Sequence, residues 1–344
     1  MKDFEEAILP AIVALLIAAI VGDVLILTFG QNPGTVYRLL IEGTWGNAYG
    51  IGQVLYKATT LTFTGLAVAL GLRAGLFNIG AESQLAAGGF AAALVGLILP
   101  PGLPSLLTLP VYFVVAALGG GIVGGIPGVL KSRFGAHEVI TTIMLNFVVL
   151  ALLNYLTAAH LRAGDSLHTA EIHAGELPRL STYAAAFHGS AANVTIILAL
   201  LVAAGTWWYL FRTRRGFELR ATGLQPAAAE YGGIDVRGVW WRAMAISGAL
   251  AGVGGLNYVL GYKHYYEEAF ASGYGFLGIA VAIVGRNNPV GVVLAALLFA
   301  TISQGGLAVN AVVPKQMVDV LQAVVIIAVA ASVPEVRRLL RRAR

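Results

Sequence analysis

The chain has 344 residues, 58% hydrophobic and only 11% charged, with a formal net charge of +5 and no cysteine. A soluble domain carries roughly 25% charged residues, so this composition excludes a soluble globular protein and points to a polytopic membrane protein. The missing cysteines exclude a disulfide framework and a thiolate metal site.

A spanning helix needs about 20 mostly apolar residues. In chain order the runs that meet or approach this length are Ala7–Phe29, Gln53–Leu72, Ile79–Leu99, Leu106–Ile126, Val139–Ala159, Asn193–Phe211, Val239–Leu260, Tyr274–Gly285, Val290–Ala308 and Met317–Val333. The fold class expected is therefore an all-α polytopic membrane protein with about ten transmembrane helices. The first run follows an acidic stretch (Asp3, Glu5, Glu6) and has no clean small-x-small cleavage site, so it reads as an uncleaved span. The eighth is too short for an ordinary span and reads as tilted or broken, which lipid tolerates only where protein covers the open backbone.

With the N-terminus inside, most lysines and arginines fall on the cytoplasmic side, including Arg212, Arg214, Arg215, Arg220, Arg237, Arg242 and the tail Arg337–Arg344. The charge thus anchors topology rather than nucleic acid, and both termini are expected in the cytoplasm. Five spans precede the outer segment 160–192 and five follow it. The chain reads as one transmembrane domain, 1–344, with halves at about 7–159 and 193–336. An odd number of spans per half requires the second to run inverted to the first, a transporter arrangement.

Several chemistries are absent from the sequence. No lysine follows a glycine, so there is no phosphate-cradling Gly-Lys-Ser/Thr loop. His137-Glu138 opens like a zinc-protease helix, but Thr141 stands where the second histidine is needed. No Gly-x-Ser-x-Gly elbow occurs. Covalent catalysis is not expected.

The polar groups concentrate in a few places. Between the second and third spans lies Gly75-Leu-Phe-Asn-Ile-Gly-Ala-Glu-Ser-Gln84, which sets Asn78, Glu82, Ser83 and Gln84 at a glycine-marked break. An acid at a helix N-terminus suits the dipole, so these residues either cap a helix or line a path through the membrane. In the fifth span Glu138, Thr141, Thr142 and Asn146 recur three to five apart and can share one face. That stripe faces a lumen or hydrogen-bonds neighbouring helices. Gly119-Gly-Gly-Ile-Val-Gly-Gly125 in the fourth span has the small-x-x-x-small spacing of close helix packing.

The outer segment carries His160, His168, His173 and His188 with Asp165, Glu171 and Glu176, at spacings that fit no compact metal motif. It reads as a face for an extracytoplasmic partner. The longest inner loop, 212–237, contains Pro226-Ala-Ala-Ala-Glu-Tyr231, a short helix with proline in its first turn, closed by Gly232 and Gly233. An ordered helix facing the cytosol suits a docking peg for a soluble partner. Farther on, Arg286-Asn-Asn-Pro289 reads as the turn of a tight helix hairpin.

Taken in order, Gly75–Gln84, His137–Asn146, Gly223–Ile234 and Gly275–Asn288 resemble the permease subunits of bacterial ABC importers. The branch is that of branched-chain amino acid and simple-sugar permeases, and within it the nucleoside/simple-sugar type. The resemblance implies a path for nucleosides or simple sugars in a multi-pass protein of the bacterial cell (inner) membrane. It also implies a second permease (a similar chain or a copy), cytoplasmic ATP-binding subunits carrying the ATP and magnesium, and an extracytoplasmic solute-binding protein. No cofactor or metal is expected on this chain itself. Carried over by position, Arg220, Gly223, Pro226, Ala228, Glu230, Tyr231, Gly232 and Ile234 belong to the segment that couples to the ATPase, and Asn78, Glu82, Gln84 and Asn146 to the path. The residues alone leave two other readings open: an ion-coupled secondary transporter with Glu82 and Glu138 as carriers, and a receptor-like scaffold.

Overall fold

The computed structural model describes residues 16–17, 19–314, 316 and 319–328. Apart from isolated β-bridges, the regular secondary structure of the described residues is helical. They form α1 (Ala19–Thr28), α2 (Pro33–Thr44), α3 (Ala48–Arg73), α4 (Ala81–Ile98), α5 (Ser105–Phe134), α6 (Glu138–Leu156) and α7 (Thr195–Arg212). After these come α8 (Arg214–Leu224), α9 (Pro226–Tyr231), α10 (Val236–Gly254), α11 (Leu256–Val259), α12 (Tyr274–Val284), α13 (Pro289–Val309) and α14 (Asp319–Ala328). Parts of the first and tenth expected spans, and the basic tail Arg337–Arg344, lie outside the described residues.

Six described helices are long and apolar enough to cross a membrane: Ala48–Arg73, Ala81–Ile98, Leu107–Phe134, Glu138–Leu161, Thr195–Arg212 and Pro289–Val309. The remaining expected spans differ for physical reasons. The run Val239–Leu260 does not form one helix. It stops at Gly254 and resumes as α11 past Gly255, where a Cβ would meet Gly89 N at 2.5 Å and Leu85 O at 2.9 Å. Tyr274–Val284 is a short helix, as its length predicts. The fourth span runs past Pro127 to Phe134 and ends only at Gly135 in the left-handed region (φ 67°); neighbouring groups in a bundle let a helix keep an internal proline. Helix α2 is not expected from apolar length. It is signalled instead by Asn32-Pro33, whose asparagine accepts Gly34 N at 2.8 Å and whose proline occupies the first turn.

The chain divides into two compact units. Within 55–296, α5 and α10 cross with almost no side chain between them. A Cβ on Gly124 would approach Gly248 Cα at 2.8 Å, and one on Gly252 would approach Gly120 Cα at 2.9 Å. Lipid tails are as apolar as leucine, so helices in a membrane associate through close packing rather than apolar burial. The glycines that allow this lie within the 119–125 run on α5 and are answered by Gly248 and Gly252 on α10. Around the crossing, Phe63, Leu85, Phe90, Tyr112, Val253 and Leu256 form the main buried cluster.

Residues 160–194 lie over the loop that follows α11. Thr169 N donates to Tyr266 O at 2.9 Å, Ile172 N to His264 O at 2.7 Å and Leu177 N to Leu260 O at 3.0 Å. The outer segment therefore covers this chain's own loop and leaves Glu171, His173 and Glu176 outward. In the other unit, described from parts of 1–54 and 297–344, Ile26, Val36, Val309 and Val313 pack together. Trp45 Nε1 there donates to Thr301 Oγ1 at 3.2 Å.

Candidate functional site: the helix break and the loop beneath it

Helix α3 ends at Arg73, and the chain turns at Gly75 (φ +74°) before α4 begins at Ala81. Seven non-helical residues between two spans leave backbone donors and acceptors that must find partners inside protein. Side chains supply them. Asn78 and Gln84 form a reciprocal amide pair: Asn78 Nδ2 donates to Gln84 Oε1 at 2.8 Å, and Gln84 Nε2 donates to Asn78 Oδ1 at 3.0 Å. Gly80 N also donates to Asn78 Oδ1, at 2.9 Å. The second Asn78 amide hydrogen goes to Ser247 Oγ on α10 at 2.8 Å, and Ser247 donates onward to Ala67 O at 2.6 Å.

Helix α6 closes the other side. Asn146 Nδ2 donates to Ile79 O at 2.8 Å while its Oδ1 accepts from Ser83 N at 3.1 Å. Thr142 Oγ1 accepts from Ile79 N at 3.3 Å and donates to Glu138 O at 2.8 Å. Asn78, Ser83, Gln84, Thr142 and Asn146 are thus one buried network. Glu138, Thr142 and Asn146 do share a buried face, spaced four apart. Thr141 lies off that face and bonds back to its own turn, at His137 O and Glu138 O.

The two acids part company. Glu82 turns away from the network and caps α12, its Oε2 accepting from Gly273 N at 3.0 Å. Glu138 pairs with Lys131 Nζ at 2.8 Å, and Lys131 in turn sits over the Trp240 ring at 5.6 Å. Each acid therefore has a specific protein partner, one a helix terminus and the other a cation.

Sequence reasoning passed over three partners. Ser247 is one. Asn257 is another: it donates to Tyr56 O at 3.0 Å and Thr60 Oγ1 at 2.8 Å, and accepts from Asn193 at 2.9 Å. A lone asparagine in the run Leu256–Leu260 was the available signal. The third is a group of rings near the N-terminus of α12, with Tyr258 stacked on Phe270 at 4.7 Å, Tyr56 at 5.2 Å from Tyr262, and the Tyr258 hydroxyl donating to Glu267.

Below the break, Thr213 caps α8 by accepting Gly216 N at 3.0 Å. Gln225 is extended, which separates α8 from α9. Helix α9 ends at Gly232, and Gly233 (φ +84°) turns the chain so that Ile234 N donates to Ala229 O at 3.0 Å. Ala229 faces inward, while Pro226, Ala227, Ala228, Glu230 and Tyr231 face out. Tyr231 is 97% exposed and Leu224 87%. Large apolar side chains this open beside a short ordered helix mark a contact surface.

The loop is joined directly to the break. Gly223, in the last turn of α8, lies so close to Arg73 and Gly75 that an added Cβ would overlap Arg73 O and sit 2.8 Å from Gly75 N. Arg73 Nε donates to Asn287 O at 2.9 Å in the α12–α13 turn, where Arg286 and Asn287 hold positive φ. The guanidiniums of Arg73 and Arg220 both lie against the Phe211 ring, at 5.7 and 5.2 Å. Of the eight residues expected in coupling, Gly223 and Arg220 join the loop to the bundle. Ile234 closes α9, and Pro226, Ala228, Glu230, Tyr231 and Gly232 form its outer surface.

Comparison with known proteins places the chain in a family. The chain is 37% identical over 341 residues to the guanosine ABC transporter permease protein NupP of Bacillus subtilis, covering 96% of this chain and 95% of that one. It is 32% identical over 337 residues to the nucleoside ABC transporter permease protein NupB of Lactococcus lactis, covering 96% and 92%. It is also 32% identical over 325 residues to the glucose ABC transporter permease protein TsgB13 of Haloferax volcanii, covering 92% and 85%. No solved structure gives a significant match. Residues 50–330 match the family described as branched-chain amino acid transport system / permease component, and with relatives of this identity along nearly its whole length, the chain belongs to that family of ABC transporter permeases.

Proposed function

We propose that this permease forms the translocation path of an ATP-driven importer for nucleosides or simple sugars. The observation that carries the reading is the direct backbone contact of Gly223 with Arg73 and Gly75. It joins a loop that exposes Tyr231 and Leu224 to the polar break between two spans. ATP is hydrolysed on a separate subunit, consistent with family membership and with the lack of a phosphate-cradling loop. That subunit docks on α9. Its closure on nucleotide moves α8, and Gly223 passes the motion to the break. The nucleotide supplies the driving force because it favours the closed state over the open one.

Asn78 and Gln84, now bonded to each other, and Ser83, Thr142 and Asn146, now bonded to the backbone of the break, exchange those bonds with cargo hydroxyls as the break moves. Weak, replaceable amide and hydroxyl bonds suit a polar uncharged solute that must also leave. Glu82 sets the neighbouring end of α12, and Glu138 with Thr141 fixes the start of α6. The relatives' names support the cargo class: guanosine and nucleoside for two, glucose for the third. A second permease completes the path and an extracytoplasmic binding protein delivers to it. Ten spans in two inverted halves, with both termini in the cytoplasm, fit the positive-inside charge.

The test is uptake by proteoliposomes holding the complex that co-purifies with this chain, using labelled nucleosides and sugars, with and without ATP and the binding protein. ATP-dependent uptake of one class names the cargo. Uptake driven by a proton or sodium gradient without ATP would overturn the proposal.

A further inference from the structure

Helix α7 stands apart from the tight α5–α10 pair; its close backbone neighbour is α8. The gap along it is a chain of cavities. One of about 450 Å³ runs past Phe113, Leu198 and Leu201. The next, about 440 Å³, shares those three residues and continues to Tyr209 and Ile246. The last, about 270 Å³, shares Tyr209 and Ile246 and ends between Arg215 and Arg242. The walls are apolar until the basic end is reached.

We propose that this groove holds an anionic phospholipid, its phosphate between Arg215 and Arg242 and an acyl chain along the stretch from Tyr209 to Leu201. Four features of the groove favour this occupant. First, the charge is complementary. Glu218 also lines the basic end, but Arg214 binds its carboxylate at 3.0 Å. Arg242 Nε is held by Gly238 O at 2.7 Å, which fixes the guanidinium at the rim. Neither Arg215 nor Arg242 forms an ion pair within 4.0 Å among the described residues.

Second, the basic end lies at headgroup depth. Trp241 lines it, and three more of the chain's five tryptophans, Trp207, Trp208 and Trp240, lie within two residues in sequence of its lining residues Tyr209, Val239 and Trp241. Tryptophan concentrates at the membrane–water interface. Third, an adjoining cavity shares Trp241 and adds Arg133 and Arg237, while its one acid, Asp235, spends an oxygen capping α10 at Gly238 N. A basic hollow between spanning helices is the setting in which anionic headgroups bind. Fourth, the length fits. Residues 201–209 span about 12 Å of helix at 1.5 Å per residue, close to the half-thickness of a hydrocarbon core about 30 Å deep.

The experiment uses the full-length chain in phosphatidylcholine nanodiscs doped with a small fraction of brominated phosphatidylglycerol or, separately, brominated phosphatidylcholine, and reads tryptophan quenching. Phosphatidylglycerol should quench at lower mole fraction, by about fivefold for each arginine engaged. Arg215→Gln with Arg242→Gln should abolish the preference, and Arg215→Lys with Arg242→Lys should keep it, which separates loss of charge from loss of fold. Equal quenching by the two lipids in the wild type, or a preference that survives the glutamine pair, overturns the proposal. So does a second copy in the groove. Because the chain has no native cysteine and a Cβ at Gly205 would meet nothing within 4 Å, Gly205→Cys would then form an oxidised dimer, with no preference between the two lipids in the quenching.

Discussion

Gly75 and Gly223 touch backbone to backbone: a methyl group on Gly75 would lie 3.2 Å from Gly223 Cα, and one on Gly223 would lie 2.8 Å from Gly75 N. The first belongs to the break between α3 and α4, the second to the loop that presents α9. Any movement of α8 therefore reaches the break without an intervening side chain.

Gly223→Ala should accordingly uncouple the two. Arg73 O is backbone and cannot yield as a flexible side chain would, so overpacking of about 1–3 kcal/mol is expected. Uptake should fall while ATP hydrolysis by the complex persists, so that ATP consumed per cargo molecule rises. Gly233→Ala serves as the comparison: its φ is +84° but its surroundings are open, so it should add local strain and leave the ratio unchanged. An unaltered ratio in Gly223→Ala would show that the contact transmits nothing.

Gly252→Ala should be more damaging to the fold itself. The added methyl would come within 2.9 Å of Gly120 Cα and overlap Ala116 O, forcing α5 and α10 apart where packing holds them. The melting temperature of the purified protein should drop by several degrees, or the protein should fail to accumulate. Gly205→Ala, on a helix face with nothing within 4 Å, should be neutral or stabilising by up to about 1 kcal/mol.

Some of this was legible in the sequence and some was not. The Gly75–Gln84 break, the Pro226–Tyr231 helix and the 119–125 glycine run are local signals, and each appears in the structure at its expected place. Their partners are not local. Nothing in the sequence says that Gly248 and Gly252 answer Gly120 and Gly124, or that Ser247 receives the Asn78 amide from 169 residues away. The interruption of Val239–Leu260 at Gly255 has no local signal that separates it from the other glycines of the run; only the fold shows that position 255 packs against Gly89 with no room for a side chain, a tertiary reason. Polar periodicity in α6 placed Glu138, Thr142 and Asn146 together. It wrongly added Thr141, since a step of three or four residues at 3.6 per turn leaves two possible faces.

Asn78 and Gln84 should behave as a coupled pair. Each side chain gives and takes one bond with the other, so removing one strands the other as a buried unsatisfied amide, at about 1–3 kcal/mol. Asn78→Ala and Gln84→Ala together should then destabilise by less than the sum of the single changes, with an interaction energy of at least about 0.5 kcal/mol. Chemical denaturation of the four proteins of the cycle measures it; strict additivity would mean that the pair is not a unit.

Glu82 separates a driving group from a cap. Its carboxylate accepts from Gly273 N at 3.0 Å, and Glu82→Gln keeps an acceptor there. Uptake in that variant should stay within a few-fold of wild type, whereas Glu82→Leu strands the Gly273 N–H and should destabilise by about 1–3 kcal/mol. Loss of uptake in Glu82→Gln with unchanged stability would instead assign the acid a proton-carrying part.

His264 gives the outer loop a pH dependence. It lies in the loop after α11, and burial lowers its affinity for a proton below the usual histidine value. Glu176 and Glu171 nearby act the other way, while Arg179 and His173 reinforce the burial. The unfolded chain then binds a proton more readily than the folded one, so stability rises with pH across this titration. The contribution is complete above the unfolded value of about 6.5 and shrinks as the pH falls below it. His264 also aligns the outer segment, because its carbonyl accepts from Ile172 N at 2.7 Å, and that backbone bond survives a change of side chain. His264→Gln should therefore leave the melting temperature near pH 7.5 almost unchanged and reduce its decline toward about pH 5. Parallel curves for wild type and variant would assign the acid sensitivity to another group.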